Sequence, residues 1–511
     1  MLFNSLPFIF LFLPLTLAGF FVLGRRSPMA AAAWLTLASL FFYGWWNPAY
    51  VGLLVLSMVF NYRIGLAIVQ ARSRKLLVLA LAADLALLAY YKYANFFIDN
   101  LNGALQTHLS LGEIILPLGI SFFTFTQIAF LVDAYQGKAR EYSFVHYALF
   151  VSYFPHLIAG PILHHAEMMP QFARREIYHP DTGKLAAGAT LLVLGLAKKV
   201  LIADGVGVYV APIFDAARGG AALTFVEAWS GALAYTFQLY FDFSGYSDMA
   251  VGLSLLFGVK LPANFYSPYQ AANIIEFWRR WHITLSRFLR DYLYVPLGGN
   301  RKGPARRYLN VLVTMLLGGL WHGAGWTFVL WGALHGVYLC VNHGWIALRH
   351  SLGYAPQATA WGRALGCGLT FIAVVVGWVI FRADSMSTAW LMLRGMAGVH
   401  GFALPDQWLA KWGDAGLWLS AQGVAFTDTR GLVTAGLSYW IVLLLLVVWF
   451  APNTQQIMSR AQPVLGAFAA SDARHWWCWR PAAWLAAPCA VLALVIVVNL
   501  HKKSEFLYFQ F

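Results

Sequence analysis

A histidine within an apolar stretch is the residue with the clearest capacity for chemistry. In LLGGLWHGAGWTFVLWGALHG, residues 316–336, His322 has glycines on both sides. An ionisable side chain in such a stretch is costly and usually functional, and apolar surroundings favour the neutral imidazole that can accept a proton from a hydroxyl. Residue types alone equally allow helix packing through small residues, with His322 hydrogen-bonded across helices. For His335 we expect the structural role, a hydrogen bond across helices.

A basic segment precedes this stretch. EFWRRWHITLSRFLRDYLYVPLGGNRKG, 276–303, surrounds His282 with arginines on a predicted amphipathic, interfacial helix. The arginines predicted to bind a donor are Arg279, Arg280, Arg287 and Arg290. Guanidinium groups suit phosphates such as those of coenzyme A, and anionic lipid headgroups are the alternative ligand. His282 could be a second catalytic group, a binding group or an interfacial core residue, and its spacing does not decide among them.

A third polar group lies in AYTFQLYFDFSGYSDMAVGL, 234–253, a segment long enough to cross a bilayer. It contains Gln238, Asp242 and Asp248, and carboxylates at that depth need partners. They could orient a base or pair with the arginines of 279–290. Structural pairing is the favoured interpretation.

Common signatures of soluble acyl transfer are missing from the sequence. There is no GxSxG nucleophile turn, no HxxxxD and no Walker-type phosphate loop. His164 and His165 with Glu167 could suggest a metal, but adjacent residues do not share one helical face. We therefore predict no metal site and no bound cofactor.

The composition indicates that these residues are positioned by membrane helices. Of the 511 residues 60% are hydrophobic and 11% charged, against roughly a quarter charged in soluble domains. The net charge of +14 is distributed in short clusters between apolar stretches, as the positive-inside rule describes. This pattern favours a lipid bilayer as the partner, not nucleic acid.

An all-α protein with about a dozen spanning helices is predicted, since a span needs about 20 apolar residues. The candidate spans are 6–24, 29–46, 49–69, 76–91, 113–134, 143–163, 185–203, 223–243, 309–322, 326–346, 364–381, 433–451 and 484–500. Basic residues 25–26 and 72–75 place those loops inside and residues 47–48 outside. A transporter with a proton path through His322, Asp242 and Asp248 is the alternative from another class. The absence of an internal repeat in the sequence weakens it.

Longer motifs carry a family resemblance. WRRWHITLSRFLRDYLYVPLGGNRKG and LLGGLWHGAGWTF, with FFYGWWNP, LPLGISFFTFTQIAFLVDAY, FPHLIAGPIL, QLYFDFSGYSDMAVGL, GWVIFRAD and FLYFQF, are spread over nearly the whole chain. Together they resemble the membrane-bound O-acyltransferase (MBOAT) family, in particular its bacterial alginate O-acetylase branch.

The resemblance implies a single domain, 1–511, with helices around a central tunnel, a catalytic core at about 113–350 and a tail at 501–511. It implies that His322 and His282 are catalytic and that acetyl-CoA is the cytoplasmic donor. The expected location is the bacterial inner membrane. The expected product is an acetylated exopolysaccharide, alginate first, with cellulose, peptidoglycan and teichoic-acid systems as alternatives.

The C-terminal sequence adds one expectation. Phe506, Tyr508 and Phe511 resemble a terminal FxYxxF motif whose tyrosine carries the acyl group in related systems. Tyr508 would then be the first acceptor, passing acetyl to a periplasmic SGNH-type acetyltransferase that acts with polysaccharide-modification or secretion proteins. An aromatic interfacial anchor is the alternative role.

Overall fold

Helices make up most of the chain in the computed structural model. It describes all residues except 113, 140, 142, 354–358, 430, 467–474, 501–506 and 508–511. The strands within the described part are two short parallel pairs, β1 Leu261–Pro262 with β4 Val464–Leu465, and β2 Ala403–Pro405 with β3 Ala425–Thr427. The predicted all-α class is confirmed.

Local sequence signals define many helix ends. The α-helices of the first half are α1 Leu13–Gly24, α2 Pro28–Gly44, α3 Ala49–Ala71, α4 Arg74–Leu105, α5 Ile120–Tyr135, α6 Phe144–Ser152, α7 Phe154–Leu157, α8 His165–Phe172, α9 Thr182–Leu196, α10 Asp204–Gly207, α11 Val210–Arg218 and α12 Phe225–Leu256. At the start of α2, the Ala30 N–H donates to the Ser27 hydroxyl and Pro28 occupies the first turn. Both features satisfy or remove backbone donors that a helix N-terminus leaves unpaired.

The second half contains several shorter helices. They are α13 Ile274–Trp278, α14 Ile283–Leu289, α15 Gly303–His322, α16 Trp326–Ser351, α17 Ala360–Arg382, α18 Met386–Met396, α19 Asp406–Trp412, α20 Asp414–Ala421, α21 Ala435–Phe450, α22 Thr454–Ile457 and α23 Ala483–Asn499. Single turns of π-helix or 3-10 helix occur at Phe8–Phe12, Arg175–Tyr178, Ala197–Ala203, Pro268–Gln270 and Arg290–Tyr294.

Nine apolar helices of the described chain fit a membrane protein. Four are long and apolar enough to cross a bilayer: Ala49–Ala71, Arg74–Leu105, Thr182–Arg218 and Ala360–Arg382. Five shorter ones are Phe8–Gly24, Pro28–Gly44, Ile120–Tyr135, Ala435–Phe450 and Ala483–Asn499. These nine helices are fewer than the dozen spans predicted. The predicted spans in α12, α15 and α16 are not among them, because they lie in more polar sequence. On α21, Val442 and Phe450 are largely exposed, as expected for side chains that face lipid.

Two predicted elements differ from the structure. The span predicted at 143–163 is divided into α6 and α7, which meet at Tyr153 next to Pro155; a proline has no N–H to continue a helix. The prediction of a single amphipathic helix within 276–303 is also wrong. It is divided into α13 and α14 at His282, whose backbone is left-handed with φ +43°.

The described residues cluster into two compact units. The first contains Met1–Val200, Ser244–Asn264 and the described part of 453–510. The second contains Leu201–Phe243 and Phe265–Pro452. The second unit holds both histidines predicted to be catalytic.

In the second unit, α15 and α16 form a tight antiparallel pair. A Cβ added at Gly332 would collide with the backbone carbonyl of Met315, and one at Gly319 with that of Phe328. Further along the pair, a Cβ at Gly336 would lie 3.0 Å from Leu312. Glycines therefore allow the two backbones to touch, and this close crossing holds the end of α15 in place.

Candidate active site

His322 is the last residue of α15, next to the crossing with α16. It is only 7% exposed. Its ring makes edge contacts with Trp331 at 5.1 Å, Phe381 at 5.2 Å and Trp321 at 4.8 Å between ring centroids. A helix end surrounded by aromatic rings provides a fixed imidazole in an apolar environment, the arrangement needed for a neutral general base.

His282 lies in the same unit and is 1% exposed. Its ring centroid is 4.8 Å from that of Phe243 and 6.2 Å from that of Trp321, which also contacts His322. The structure thus brings the two predicted histidines to the same indole ring. The left-handed backbone of His282 costs about 1 kcal/mol or more for an L-residue, and such conformations cluster at functional sites.

An aromatic cluster continues from His322 along α16. His335 is fully buried, with its ring centroid 4.8 Å from Trp331 and 5.3 Å from Trp278. Both ring nitrogens of His335 and the indole nitrogens of Trp278 and Trp331 are buried and have no hydrogen-bond partner within the described chain. Buried polar atoms of this kind are rare and need an explanation. The expectation that His335 is a hydrogen-bonded structural histidine is therefore wrong for the described residues.

The four predicted donor-binding arginines have different surroundings. Arg280 donates to Glu276 at 2.6 Å. Arg290 donates to both carboxylate oxygens of Asp291 at 2.7 and 3.0 Å, and Arg287 is half-buried on α14. Arg279 lines a cavity with a volume of about 540 Å³.

The polar residues of α12 belong to different units. Gln238 and Asp242 lie in the second unit, where Asp242 is buried and the side chain of Gln238 packs against Gly207. Asp248 lies in the first unit. Its carboxylate accepts from Lys198 at 2.6 Å and from Gln455 at 3.4 Å. Structural pairing therefore holds for Asp248, with a lysine as the partner.

Two further predictions concern a metal and the C-terminal motif. Among the described residues, no three histidine, cysteine or acidic side chains are grouped so that they could hold a metal ion. Tyr508, Phe506 and Phe511 lie outside the described residues. Both expectations remain predictions.

The middle of the chain matches a known protein family. Residues 76–383 match MBOAT, the membrane-bound O-acyltransferase family. This match covers more than half of the chain and includes both His282 and His322. The chain belongs to this family. It is therefore a membrane-bound acyltransferase, and a purely transporting role is not needed to explain its buried polar residues.

Individual relatives cover most of the chain. A peptidoglycan O-acetyltransferase from Helicobacter pylori is 45% identical over 79% of this chain and 81% of its own length. A probable alginate O-acetylase from Azotobacter vinelandii is 45% identical over 80% of both chains. Another from Pseudomonas aeruginosa is 44% identical over 78% of this chain and 75% of its own. The resemblance seen in the motifs is confirmed.

Apart from Arg279, the aromatic cluster and the lining of the cavity were not predicted from the sequence. Trp331 and His335 are four residues apart and so share one face of α16, a signal that was available in the sequence. Trp278 and His343 gave no such signal. Trp278 contacts His335, and His343 lines the cavity together with Arg279, because α13 packs against α16.

Proposed function

We propose that the protein is a multi-pass O-acetyltransferase of the bacterial inner membrane, which transfers acetyl from cytoplasmic acetyl-CoA towards an exopolysaccharide, with alginate as our first choice. The observation that carries this proposal is the buried imidazole of His322 at the end of α15, within the segment that matches the acyltransferase family. Two of the relatives described above are named as probable alginate O-acetylases.

The chemistry that we assign to His322 is general base catalysis. The neutral ring removes the proton from an acceptor hydroxyl while the oxygen attacks the thioester carbonyl. When the tetrahedral intermediate collapses, the C–S bond breaks and the imidazolium returns the proton to the leaving thiolate. An ester and a free thiol result, so His322 is regenerated in each turnover. We assign His282 a role beside it, through the indole of Trp321 that both rings contact.

We further propose Tyr508 as the first acceptor. Its phenolic oxygen would form an acetyl ester, which a periplasmic SGNH-type acetyltransferase would then transfer to a polymer hydroxyl together with polysaccharide-modification or secretion proteins. Mass spectrometry of the C-terminal peptide tests this step. An unmodified Tyr508 peptide, in enzyme trapped while the donor is being consumed, would contradict it.

Peptidoglycan is a second candidate polymer. The observation in its favour is the 45% identity to a peptidoglycan O-acetyltransferase, equal to that of an alginate relative. Ester-linked acetate measured on purified alginate and on purified peptidoglycan, with and without the gene, separates the two proposals.

The decisive variant is His322→Ala. Loss of a general base is expected to lower acetyl-CoA consumption by about 10²–10⁴-fold, while the abundance of the protein in the membrane stays unchanged. His350→Ala removes an exposed histidine near the end of α16 and should leave turnover as in the wild type. Turnover retained in His322→Ala would refute the assigned base. No turnover by the wild type, with partner and polymer supplied, would refute acetyl transfer.

A further inference from the structure

The cavity beside Arg279 is separate from the surroundings of His322. It has a volume of about 540 Å³, within the range of about 300–1,000 Å³ that small-molecule sites occupy. One wall is the start of α13 and the residues around it, and the other is the last third of α16. The lining residues are Asn273, Ile275, Glu276, Arg279, His343 and Ile346.

The lining of this cavity contains one carboxylate and one guanidinium group. Its one lining carboxylate, Glu276, already accepts from Arg280 at 2.6 Å and from the Ala272 N–H at 2.9 Å. Arg279, only three residues from Glu276, makes no ion pair with any described carboxylate. Its guanidinium therefore faces the cavity without a counter-charge from the described chain.

A second arginine, Arg307 on α15, lies outside the lining of the cavity. Arg307 and Arg279 both act electrostatically on the ring of His343. The Nε atom of Arg307 is buried and has no hydrogen-bond partner within the described chain. One guanidinium group and an imidazole line this cavity, and its one lining carboxylate is already paired, a combination that favours an anion.

We propose that this cavity binds a phosphate group. A planar guanidinium matches phosphate oxygens with paired N–H donors, and His343 and the Asn273 amide can add further hydrogen bonds. The phosphate could belong to the nucleotide end of the acyl donor or to an anionic lipid headgroup. The nucleotide source rests on the proposed function, whereas the phosphate chemistry does not.

The position of the cavity suits the nucleotide source. His343 is twelve residues from Trp331 on α16, a separation of about 18 Å at 1.5 Å per residue. The ring of Trp331 contacts His322. A donor of the coenzyme A type carries its phosphates and its thioester at opposite ends of an extended, amide-containing arm.

The test uses the full-length protein in phosphatidylcholine nanodiscs. Acetyl-CoA is compared with acetyl-pantetheine, which has the same thioester and no phosphate. Arg279→Gln should raise the KM for acetyl-CoA about tenfold or more, the loss of a charge-assisted hydrogen bond, with kcat unchanged. Its KM for acetyl-pantetheine should stay at the wild-type value. Arg279→Lys keeps the charge, so its KM for acetyl-CoA should lie between the values of the wild type and Arg279→Gln.

The lipid source is tested by adding phosphatidylglycerol to the nanodiscs. The phosphate belongs to a lipid headgroup if three results occur together. The wild-type rate rises with this lipid, the rise is lost in Arg279→Gln, and the KM values of Arg279→Gln for both donors equal those of the wild type. Arg218→Gln is the matched control, because Arg218 is an exposed, ion-paired arginine of the same unit. The proposal is overturned if Arg279→Gln changes the KM for both donors equally and leaves the lipid dependence unchanged. It is also overturned if Arg218→Gln has the same effects as Arg279→Gln.

Failure of the proposed function is distinguished by a binding measurement. If the wild type consumes no acetyl-CoA, titration calorimetry with adenosine 3′,5′-bisphosphate still tests the anion site. Binding that Arg279→Gln weakens about tenfold would support the site without the reaction. No binding, with no dependence on phosphatidylglycerol, would overturn it.

Discussion

His282 combines a catalytic residue type with an unfavourable backbone conformation. At φ +43° and ψ +55° it ends the turn after α13 and begins α14. A histidine with helical backbone angles would direct its ring elsewhere. The left-handed angles direct the ring of His282 towards Phe243 and Trp321. The left-handed conformation is thus part of how the site is built.

A comparison of His282→Gly with His282→Ala tests this interpretation. Both variants lose the ring and should lose activity together. Glycine adopts positive φ without the cost that alanine incurs, about 1 kcal/mol. The glycine variant should therefore withstand heating in detergent better than the alanine variant, measured as the monodisperse fraction that remains. An alanine variant of equal or greater thermal stability would show that the backbone at 282 relaxes when the ring is removed.

At the scale of elements, the crossing of α15 and α16 fixes His322. Gly332→Ala adds a methyl group against the backbone of Met315 and Gly319. Overpacking of this kind costs about 1–3 kcal/mol, so both thermal stability and turnover should fall. Gly344→Ala on the same helix has nothing within 4 Å of the added Cβ, and it should be neutral or stabilising by up to about 1 kcal/mol. Equal effects of the two substitutions would mean that the close crossing does not position the base.

The connection between α5 and α6 contains a second testable contact. The carboxylate of Glu141 accepts from the Ser143 N–H at 2.9 Å and lies 3.4 Å from Nε2 of His165. Burial alone would raise the pKa of Glu141, but His165, the Ser143 N–H and His146 outweigh it and lower the pKa below its ordinary value of 4.5. A carboxyl group with a lowered pKa stabilises the fold above its ordinary value, and the contribution is lost as the pH falls below that value.

Glu141→Gln should therefore lower the Tm at neutral pH. The difference from the wild type should shrink as the pH falls below about 4.5. The titratable groups that face Glu141 are His146, His165 and Tyr62, and they are unchanged in this variant. Glu176→Gln, at an exposed glutamate, is the control. A Tm difference that stays constant with pH would contradict a role for the ionised carboxylate.

At the scale of the whole molecule, the sequence predicted the helical class, the membrane environment and the family. Those properties depend on composition and on motifs that are read locally. It did not predict the partners of individual charged side chains: Arg290 pairs with its neighbour Asp291, and Lys198, 50 residues away along the chain, pairs with Asp248. The break at His282 was likewise invisible, because a left-handed histidine is stabilised by packing that a single sequence does not display.

Orientation in the membrane is a prediction that one helix can test. With 23 residues, α3 is about 35 Å long at 1.5 Å per residue, enough to cross a hydrocarbon core of about 30 Å. The basic residues Arg72, Arg74 and Lys75 after its C-terminus should keep that end in the cytoplasm. Ala49→Cys and Ala71→Cys place a thiol at either end, both at exposed positions.

In intact spheroplasts, a membrane-impermeant maleimide should label Ala49→Cys, and it should label Ala71→Cys only after permeabilisation. The wild type, with its own four cysteines, gives the background for both. Labelling of both variants from one side would mean that α3 does not cross the membrane. The reversed pattern would place residues 72–75 outside and would contradict the charge rule for this chain. The predicted pattern would show that the basic loop at residues 72–75 faces the compartment that supplies the proposed phosphate-bearing donor.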